Sequence, residues 1–353
     1  MVYFARPKIM NPQDTLSTIP ASPAHRKRVF MLGATGTIGR ATVRALRDRG
    51  YHIVCFVRPQ RDGSPYLSIH DTQRDDAGIE YRFGDVTDVI SLRRDGFRSE
   101  QFDCVVSCLA SRTGAPRDAW AIDYEAHSQV LRVAIETGVK QFIMLSALCV
   151  QKPRLAFQQA KLAFEKELIE SGLIHSIVRP TAFFKSLSGQ VDLVKQGKSF
   201  LIFDDGRLTA CKPISDRDLA DYIARCLEDE TRWNRILPIG GPGPAITPRD
   251  QGDYLFSRLN RVPKFKSVPL ALMTLIIGAL SFMGRFNKGI TEKAELARIG
   301  YYYATESMLV INPATGRYDA ELTPSTGDDT LFDHYDRLLA DEIQHERSDH
   351  SVF

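Results

Sequence analysis

Three glycines near the start of the chain have the spacing of a phosphate-binding turn. They follow the apolar run VFML and open a helix-like stretch over residues 37–48. A strand, a tight turn and a helix in this order place backbone N–H groups and the positive helix end against a pyrophosphate. The spacing is G-x-x-G-x-x-G rather than the commoner G-x-G-x-x-G, but its context predicts a dinucleotide site. The loop residues expected to contact the dinucleotide are Gly33, Thr35, Gly36, Thr37, Ile38, Gly39 and Arg40.

The residue after the second predicted strand indicates which dinucleotide binds. An NAD site usually places an acidic residue there to hold the ribose 2′-hydroxyl. This chain has Arg58 after HIVCFV, with Arg61 close by. A guanidinium suits a 2′-phosphate by its bidentate geometry, so the sequence predicts NADPH as the cofactor. The alternative is that Arg58 is a solvated strand end.

The ends of the later predicted strands supply further cofactor candidates, because open α/β sheets bind ligands at the carboxyl ends of their strands. Asp85 and Val86 are expected at the adenine, although Asp85 is also a common turn-forming residue. Small residues after the fourth strand leave room for the cofactor. The remaining candidates at strand ends are Leu109, Ala110, Ser146, Pro180 and Phe183.

Phe157 and Lys161 are four residues apart in a predicted helix, so their side chains share one face. This pair resembles the Tyr-x-x-x-Lys element of short-chain dehydrogenases, with Phe157 in place of the tyrosine. A phenyl ring cannot donate a proton, which disfavours ordinary carbonyl reduction. Lys161 is the candidate catalytic residue, as proton donor or as the group that holds the nicotinamide ribose. The alternative is a solvated helix lysine.

Apolar strands alternate with helices through the first half of the chain, with helices expected over 124–136 and 155–171. This pattern predicts an α/β fold, a Rossmann-type doubly wound parallel sheet with a smaller C-terminal substrate lobe. We predict a flexible N-terminal segment over 1–25, an NADP-binding Rossmann core over 26–185, and a substrate-binding lobe with C-terminal helices over 186–353. The strand-like runs are VFMLGA, YHIVCFV, IEYRFGDV, FDCVVSCLA, KQFIMLSAL and HSIVRPT.

The composition of the 353 residues excludes several classes of protein. A hydrophobic content of 43% and a charged content of 25% are those of a globular chain, and a net charge of +3 is too small for a nucleic-acid footprint. Most of the six cysteines lie in apolar runs, so we predict reduced core thiols and no metal site. No secretory signal is apparent, which favours a cytoplasmic location.

One uncharged segment, residues 267–284, has three interpretations. Its length is at the short limit for a bilayer span, and it contains Pro269, two glycines and three hydroxyl side chains. The sequence favours a buried helix over peripheral contact with a membrane or a lipophilic substrate, and favours a membrane span least.

Long stretches spread over residues 28–335 resemble one family, the NADPH-dependent divinyl chlorophyllide a 8-vinyl-reductases. These are atypical short-chain dehydrogenases related to NmrA-like and isoflavone-reductase-like proteins. The similar stretches are VVSCLASRTGAPRDAW, IDYEA, LSALCVQKPRLAFQQAKLAFE, SIVRPTAFFKSLSGQV, CKPIS, LPIGGPG and YYATESML.

The resemblance implies an oxidoreductase of (bacterio)chlorophyll biosynthesis that reduces the C8 vinyl group of 3,8-divinyl (proto)chlorophyllide to ethyl. The substrate would be a magnesium tetrapyrrole, so magnesium would enter with it, and the enzyme would work in the cytoplasm or at the periphery of a photosynthetic membrane. Phe157, Phe183, Phe184 and Lys185 are the substrate candidates. Two alternatives stay open: another isoflavone-reductase-like NADPH reductase of a conjugated small molecule, and a non-catalytic NmrA-like NADP sensor.

Overall fold

The structure is a computed structural model that describes residues 27–59, 78–285 and 288–343. A seven-stranded parallel sheet forms the centre of the fold. The strand order is β3-β2-β1-β4-β5-β6-β8. The predicted segment 1–25 and Arg61 lie outside the described residues. The strands are β1 Arg28–Leu32, β2 His52–Val57, β3 Ile79–Phe83, β4 Cys104–Ser107, β5 Gln141–Leu145, β6 Ile174–Pro180, β7 Phe200–Phe203, β8 Arg235–Ile239, β9 Phe265–Val268, β10 Val310–Ile311 and β11 Tyr318–Asp319.

Helices connect these strands and build the second half of the chain. Wider π-helical turns over Trp120–Ala126 join α3 to α4. Such turns interrupt a regular helix and often occur at functional sites. The helices are α1 Thr37–Asp48, α2 Val89–Ser91, α3 Pro116–Ala119, α4 His127–Glu136, α5 Ala156–Glu170, α6 Phe184–Leu187, α7 Val191–Lys195, α8 Asp216–Arg225, α9 Pro248–Arg258, α10 Leu270–Gly284, α11 Lys288–Thr305 and α12 Leu331–Leu339.

Both faces of the sheet are covered by helices, which confirms the predicted doubly wound fold. Leu46 of α1 and Leu219 of α8 belong to the apolar core on one face. Val130 of α4 and Phe164 of α5 belong to the core on the other face. Because the central strands are buried on both sides, their sequences are continuous apolar runs rather than alternating ones.

The sheet does not end at the predicted boundary at residue 185. Its seventh strand, β8, pairs in parallel with β6 and comes from the second half of the chain. β8 is an edge strand that contains Pro238 and begins with exposed positions. An edge strand tolerates proline and can do without a continuous apolar run. The sequence RILPI therefore carries too weak a strand pattern to be identified from sequence.

A third apolar core lies mainly in the second half of the chain, here called the smaller lobe, and Cys149 and Leu155 of the first half also belong to it. The parallel pair β7 and β9 and helices α9 and α12 contribute to this third core. The six cysteines are free thiols, five of them buried and Cys108 partly buried.

Burial of the uncharged segment, the interpretation that the sequence favoured, is wrong. No residue of α10 is buried, and the side chains of Leu275 and Phe282 are 71% and 63% exposed. α10 packs along α11, and much of its remaining apolar surface stays exposed. Across the part of the chain that the structure describes, no helix is long and apolar enough to cross a membrane.

Candidate functional site

A cavity of about 1440 Å³ runs along the carboxyl edge of the sheet and into the smaller lobe. Ligand pockets commonly measure roughly 300–1,000 Å³, so this one has room for a dinucleotide and a second large molecule. Its cofactor end is lined by the glycine loop 33–40, Leu109, Ala110, Ser111, Asp123, Ser146 and Lys161. Its substrate end is lined by Phe184, Phe200, Ile202, Leu208, Ile299, Met308 and Leu338.

The glycine loop is held tightly between β1 and β4. Gly33 has φ +72°, and a Cβ there would lie 2.5 Å from the carbonyl carbon of Cys108. A Cβ on Gly39 would lie 1.9 Å from the backbone oxygen of Gly33. Only glycine fits at either position, because the obstructing atoms are backbone atoms.

The N-terminus of α1 fits a pyrophosphate. Gly36 occupies the cap position, no side chain caps the helix, and its first turn contains no acidic residue. The first N–H groups of the helix and its positive end therefore remain available at the cavity wall. The guanidinium of Arg40 donates from Nη1 to the backbone oxygen of Thr35 in the same loop over 2.8 Å.

Lys185 adds a cation to this end of the cavity. Its Nζ donates a hydrogen bond of 3.0 Å to Thr37 Oγ1, at the first residue of α1. The sequence predicted Lys185 as a substrate residue. The structure places its ammonium group at the glycine loop, where an anionic pyrophosphate would lie.

Helix α5 presents Phe157 and Lys161 to the cavity, on the shared face that their spacing predicts. Gln158 fixes the start of this helix, because its Oε1 accepts hydrogen bonds from the backbone N–H groups of Arg154 and Leu155. Lys161 is only 5% exposed, so it is not a solvated lysine.

The partner of Lys161 is Asp123, a residue that the sequence analysis did not identify. Lys161 Nζ lies 3.0 Å from Asp123 Oδ1, and the Asp123 side chain is fully buried. Asp123 lies in the π-helical turns between α3 and α4. In the sequence, Asp123 is apparent only as an acidic residue in the stretch IDYEA, which resembles the family. A buried charge needs a partner of opposite charge, and that stretch does not show which residue the partner is.

A second buried carboxylate supports the end of β5. Ser146 Oγ donates to Glu165, which also pairs with Arg179 of β6. Both Ser146 and Glu165 are buried. This network holds the predicted cofactor residue Ser146 in a fixed orientation at the cavity wall, and Glu165 and Arg179 were not anticipated.

His127 is buried beside the cofactor end of the cavity and makes two hydrogen bonds within the fold. Its Nε2 lies 2.8 Å from Ser107 Oγ and its Nδ1 lies 2.8 Å from the Ile122 carbonyl oxygen. Burial, with a smaller contribution from the charge of Lys161, lowers the pKa of His127 to about 4. The ring is therefore neutral at physiological pH and ties the end of β4 to the π-helical turns.

Three of the predicted cofactor residues do not line the cavity. Arg58 is exposed just beyond β2. Asp85 Oδ1 accepts from the backbone N–H and the hydroxyl of Thr87 over 2.9 and 2.7 Å, which is the turn-forming alternative. Val86 is buried in the core. Their contacts with the adenosine half of a cofactor stay predictions.

Apolar rings line the rest of the cavity. Phe183 and Phe184 join Phe157 there, and Tyr303 of α11 contributes a further ring. Arg112 also lines the cavity and adds a cation to its wall. Lys152 and Lys212 have partners within the fold: Lys152 Nζ lies 3.0 Å from Glu306 Oε2, and Lys212 Nζ donates to the Thr323 carbonyl oxygen over 3.2 Å.

The doubly wound sheet, the glycine loop and the helix N-terminus without a side-chain cap define a dinucleotide-binding α/β protein. Residues 33–230 match a family model described as NAD(P)H-binding. The chain is 44% identical over 348 residues to the chloroplastic divinyl chlorophyllide a 8-vinyl-reductase of Cucumis sativus, covering 97% of this chain and 83% of that protein. It is 47% identical over 316 residues to the enzyme of the same name from Oryza sativa subsp. indica, covering 88% of this chain and 78% of that one. The chain therefore belongs to the divinyl chlorophyllide a 8-vinyl-reductase family.

A solved structure supports the fold independently. The Escherichia coli NADPH-dependent quinone oxidoreductase QOR2, in complex with NADPH, superimposes with a TM-score of 0.63 at 18% identity, covering 88% of this chain and 99% of that chain. At this identity the likeness shows the shared fold and nothing about the substrate.

Proposed function

We propose that this protein reduces the C8 vinyl group of a 3,8-divinyl (proto)chlorophyllide to ethyl with NADPH. The observation that carries the proposal is the 44% identity to a named 8-vinyl-reductase over 97% of this chain. Identity of this extent covers both the cofactor end and the substrate end of the cavity, so it concerns more than the shared dinucleotide fold.

The site is suited to this chemistry. Reduction adds one hydride and one proton across the C=C bond, and NADPH held in this site would supply the hydride and become NADP⁺. The glycine loop and Lys185 would bind and orient its phosphates. The rings of Phe157, Phe183 and Phe184 offer a flat apolar surface that excludes water from a large macrocycle.

Phe157 stands where related enzymes have a tyrosine, and its phenyl ring cannot donate a proton. The proton must therefore come from another protein group or from water. Lys161 lines the cavity on the same helix face as Phe157, and its ion pair with Asp123 holds it in place. Lys161 therefore serves either as the proton donor or as a holder of the nicotinamide ribose. Loss of the usual tyrosine is no obstacle, because a vinyl group develops no oxyanion that needs protonation.

Visible absorption spectroscopy tests the proposal directly. Purified protein is mixed with divinyl chlorophyllide and either NADPH or NADH. We expect the Soret band to shift with NADPH at a much higher rate than with NADH. An unchanged spectrum from protein that reduces another conjugated compound would favour an isoflavone-reductase-like enzyme. Tight NADP binding without turnover of any tetrapyrrole would favour a sensor.

We further propose that the helical pair α10–α11 contacts a membrane surface. α10 contains no charged residue, and none of its residues is buried. The exposed cations Lys266 and Arg285 flank its two ends. An exposed apolar helix with basic flanks is suited to lie in an anionic lipid interface. Ile299 of α11 lines the substrate end of the cavity, so this surface adjoins the site that would receive a lipophilic pigment.

Co-sedimentation with phosphatidylglycerol vesicles tests the membrane contact. We expect the double variant Leu275→Glu/Phe282→Glu to lose vesicle binding, since both side chains are largely exposed. Ile90→Glu is the matched control, because Ile90 is 65% exposed on α2. Equal binding of the wild type and both variants would refute the contact without affecting the proposed reaction.

A further inference from the structure

One carboxylate oxygen of Asp123 has no hydrogen-bond partner among the residues that the structure describes. Its Oδ1 lies 3.0 Å from Lys161 Nζ and accepts from the backbone N–H of Ser111 over 3.3 Å. Its Oδ2 is equally buried but has no hydrogen-bond partner among the residues that the structure describes. Buried polar atoms are nearly always paired, and an unpaired carboxylate oxygen is especially costly. The missing partner is therefore expected to be a ligand or an ordered water.

Asp123 lines the cavity at its cofactor end, together with Ser111 and Lys161. The glycine loop follows β1, and the sheet order places β2 on one side of β1 and β4 on the other. Arg58 follows β2, whereas Ser111 follows β4. A dinucleotide with its pyrophosphate on the loop therefore directs its adenosine half towards β2 and its nicotinamide half towards β4 and β5.

The chemistry of Oδ2 selects the group that it would bind. A carboxylate oxygen only accepts hydrogen bonds, so the ligand must present an O–H or N–H donor. The pigment is apolar around its C8 vinyl group, and its carboxylate would be repelled by Asp123. The nicotinamide ribose carries two hydroxyl groups, and a vicinal diol can donate to a carboxylate while it accepts from an ammonium group.

We propose that Asp123 is a cofactor-binding residue whose Oδ2 accepts a hydrogen bond from a hydroxyl of the nicotinamide ribose. Lys161 donates to the same ribose and is held in position by Asp123 Oδ1. The inference rests on the proposed NADPH site, and it assigns Lys161 to ribose binding. The buried ion pair is then a preformed binding site for the ribose diol. The desolvation free energy that the two buried charges cost the fold is offset when the cofactor binds.

The test compares two ligands on the variant Asp123→Asn, which keeps the size of the side chain. NADPH contains the nicotinamide ribose, whereas adenosine 2′,5′-bisphosphate does not. We expect Asp123→Asn to weaken NADPH binding by about tenfold or more, the scale of one hydrogen bond to a charged group. Binding of adenosine 2′,5′-bisphosphate should change by less than about twofold, which also reports that the variant is folded.

Glu125→Gln is the matched control, because Glu125 is an exposed carboxylate in the same π-helical turns. It should bind both ligands as the wild type does. Equal weakening of both ligands by Asp123→Asn would show that Asp123 has only a structural role. Unchanged NADPH affinity would show that water satisfies Oδ2, and either result overturns the inference. Wild-type protein that binds NADPH without reducing the pigment would refute the proposed reaction but leave this test intact.

Discussion

The two ends of the cavity are built on different physical principles. At the cofactor end, buried polar groups are paired with one another, as in Lys161 with Asp123 and Ser146 with Glu165. At the substrate end the lining is mainly apolar, and Leu208 there is 51% exposed. A dinucleotide is recognised by fixed hydrogen-bonding groups, which must be preorganised by the core. A flat pigment is recognised by apolar area, which loops and helices of the smaller lobe can supply.

The largest effect should come from disturbing the cofactor end at its tightest point. Gly39→Ala would place a Cβ 1.9 Å from the backbone oxygen of Gly33, so the loop must shift. We expect NADPH binding to become undetectable by fluorescence titration. Gly278→Ala is the control, because a Cβ at Gly278 in α10 meets no atom within 4 Å. Undiminished NADPH binding by Gly39→Ala would mean that the loop does not hold the cofactor.

The cofactor end should also be sensitive to acid through His127. The unfolded chain takes up a proton on histidine near pH 6.5, whereas the folded protein keeps His127 neutral until its pKa of about 4. Stability therefore falls as the pH decreases through this interval, by at most ~3 kcal/mol from this group. Chemical denaturation of His127→Gln should show a flatter dependence on pH than the wild type. Parallel curves for the two proteins would contradict the neutral state of the buried ring.

An intermediate effect is expected where the cofactor meets solvent. If Arg58 binds the 2′-phosphate, Arg58→Gln should reduce the preference for NADPH over NADH by about tenfold, measured as a ratio of kcat/KM values. Arg117→Gln, which changes an exposed arginine on α3, should leave the ratio unchanged. An unaltered ratio in Arg58→Gln would identify Arg58 as a solvated strand end.

The smallest effect is expected at the substrate end, where many apolar contacts share the binding energy. Leu208→Gln removes one exposed leucine from the cavity lining and should raise the KM for the pigment by about fivefold, with NADPH affinity unchanged. Leu322→Gln is the control, because Leu322 is 47% exposed and does not line the cavity. A fall in NADPH affinity for Leu208→Gln would show that the two ends are not separate.

The local sequence determined the parts of the fold whose physics is local. The strand, glycine turn and helix around Gly36 are neighbours in the chain, so their order alone predicted the loop. The four-residue step from Phe157 to Lys161 likewise fixed the face that both side chains share. The continuous apolar runs of the central strands follow from burial on both sides, and they predicted the doubly wound sheet correctly.

Only the tertiary structure decided which distant residues meet. Lys161 and Asp123 lie on different helices, and the charge of each is stable in the interior only because the other is there. The edge strand β8 is identified by its pairing with β6 rather than by its own pattern. The apolar sequence of α10 does not reveal whether protein covers it, because burial depends on the packing partners that the rest of the chain supplies.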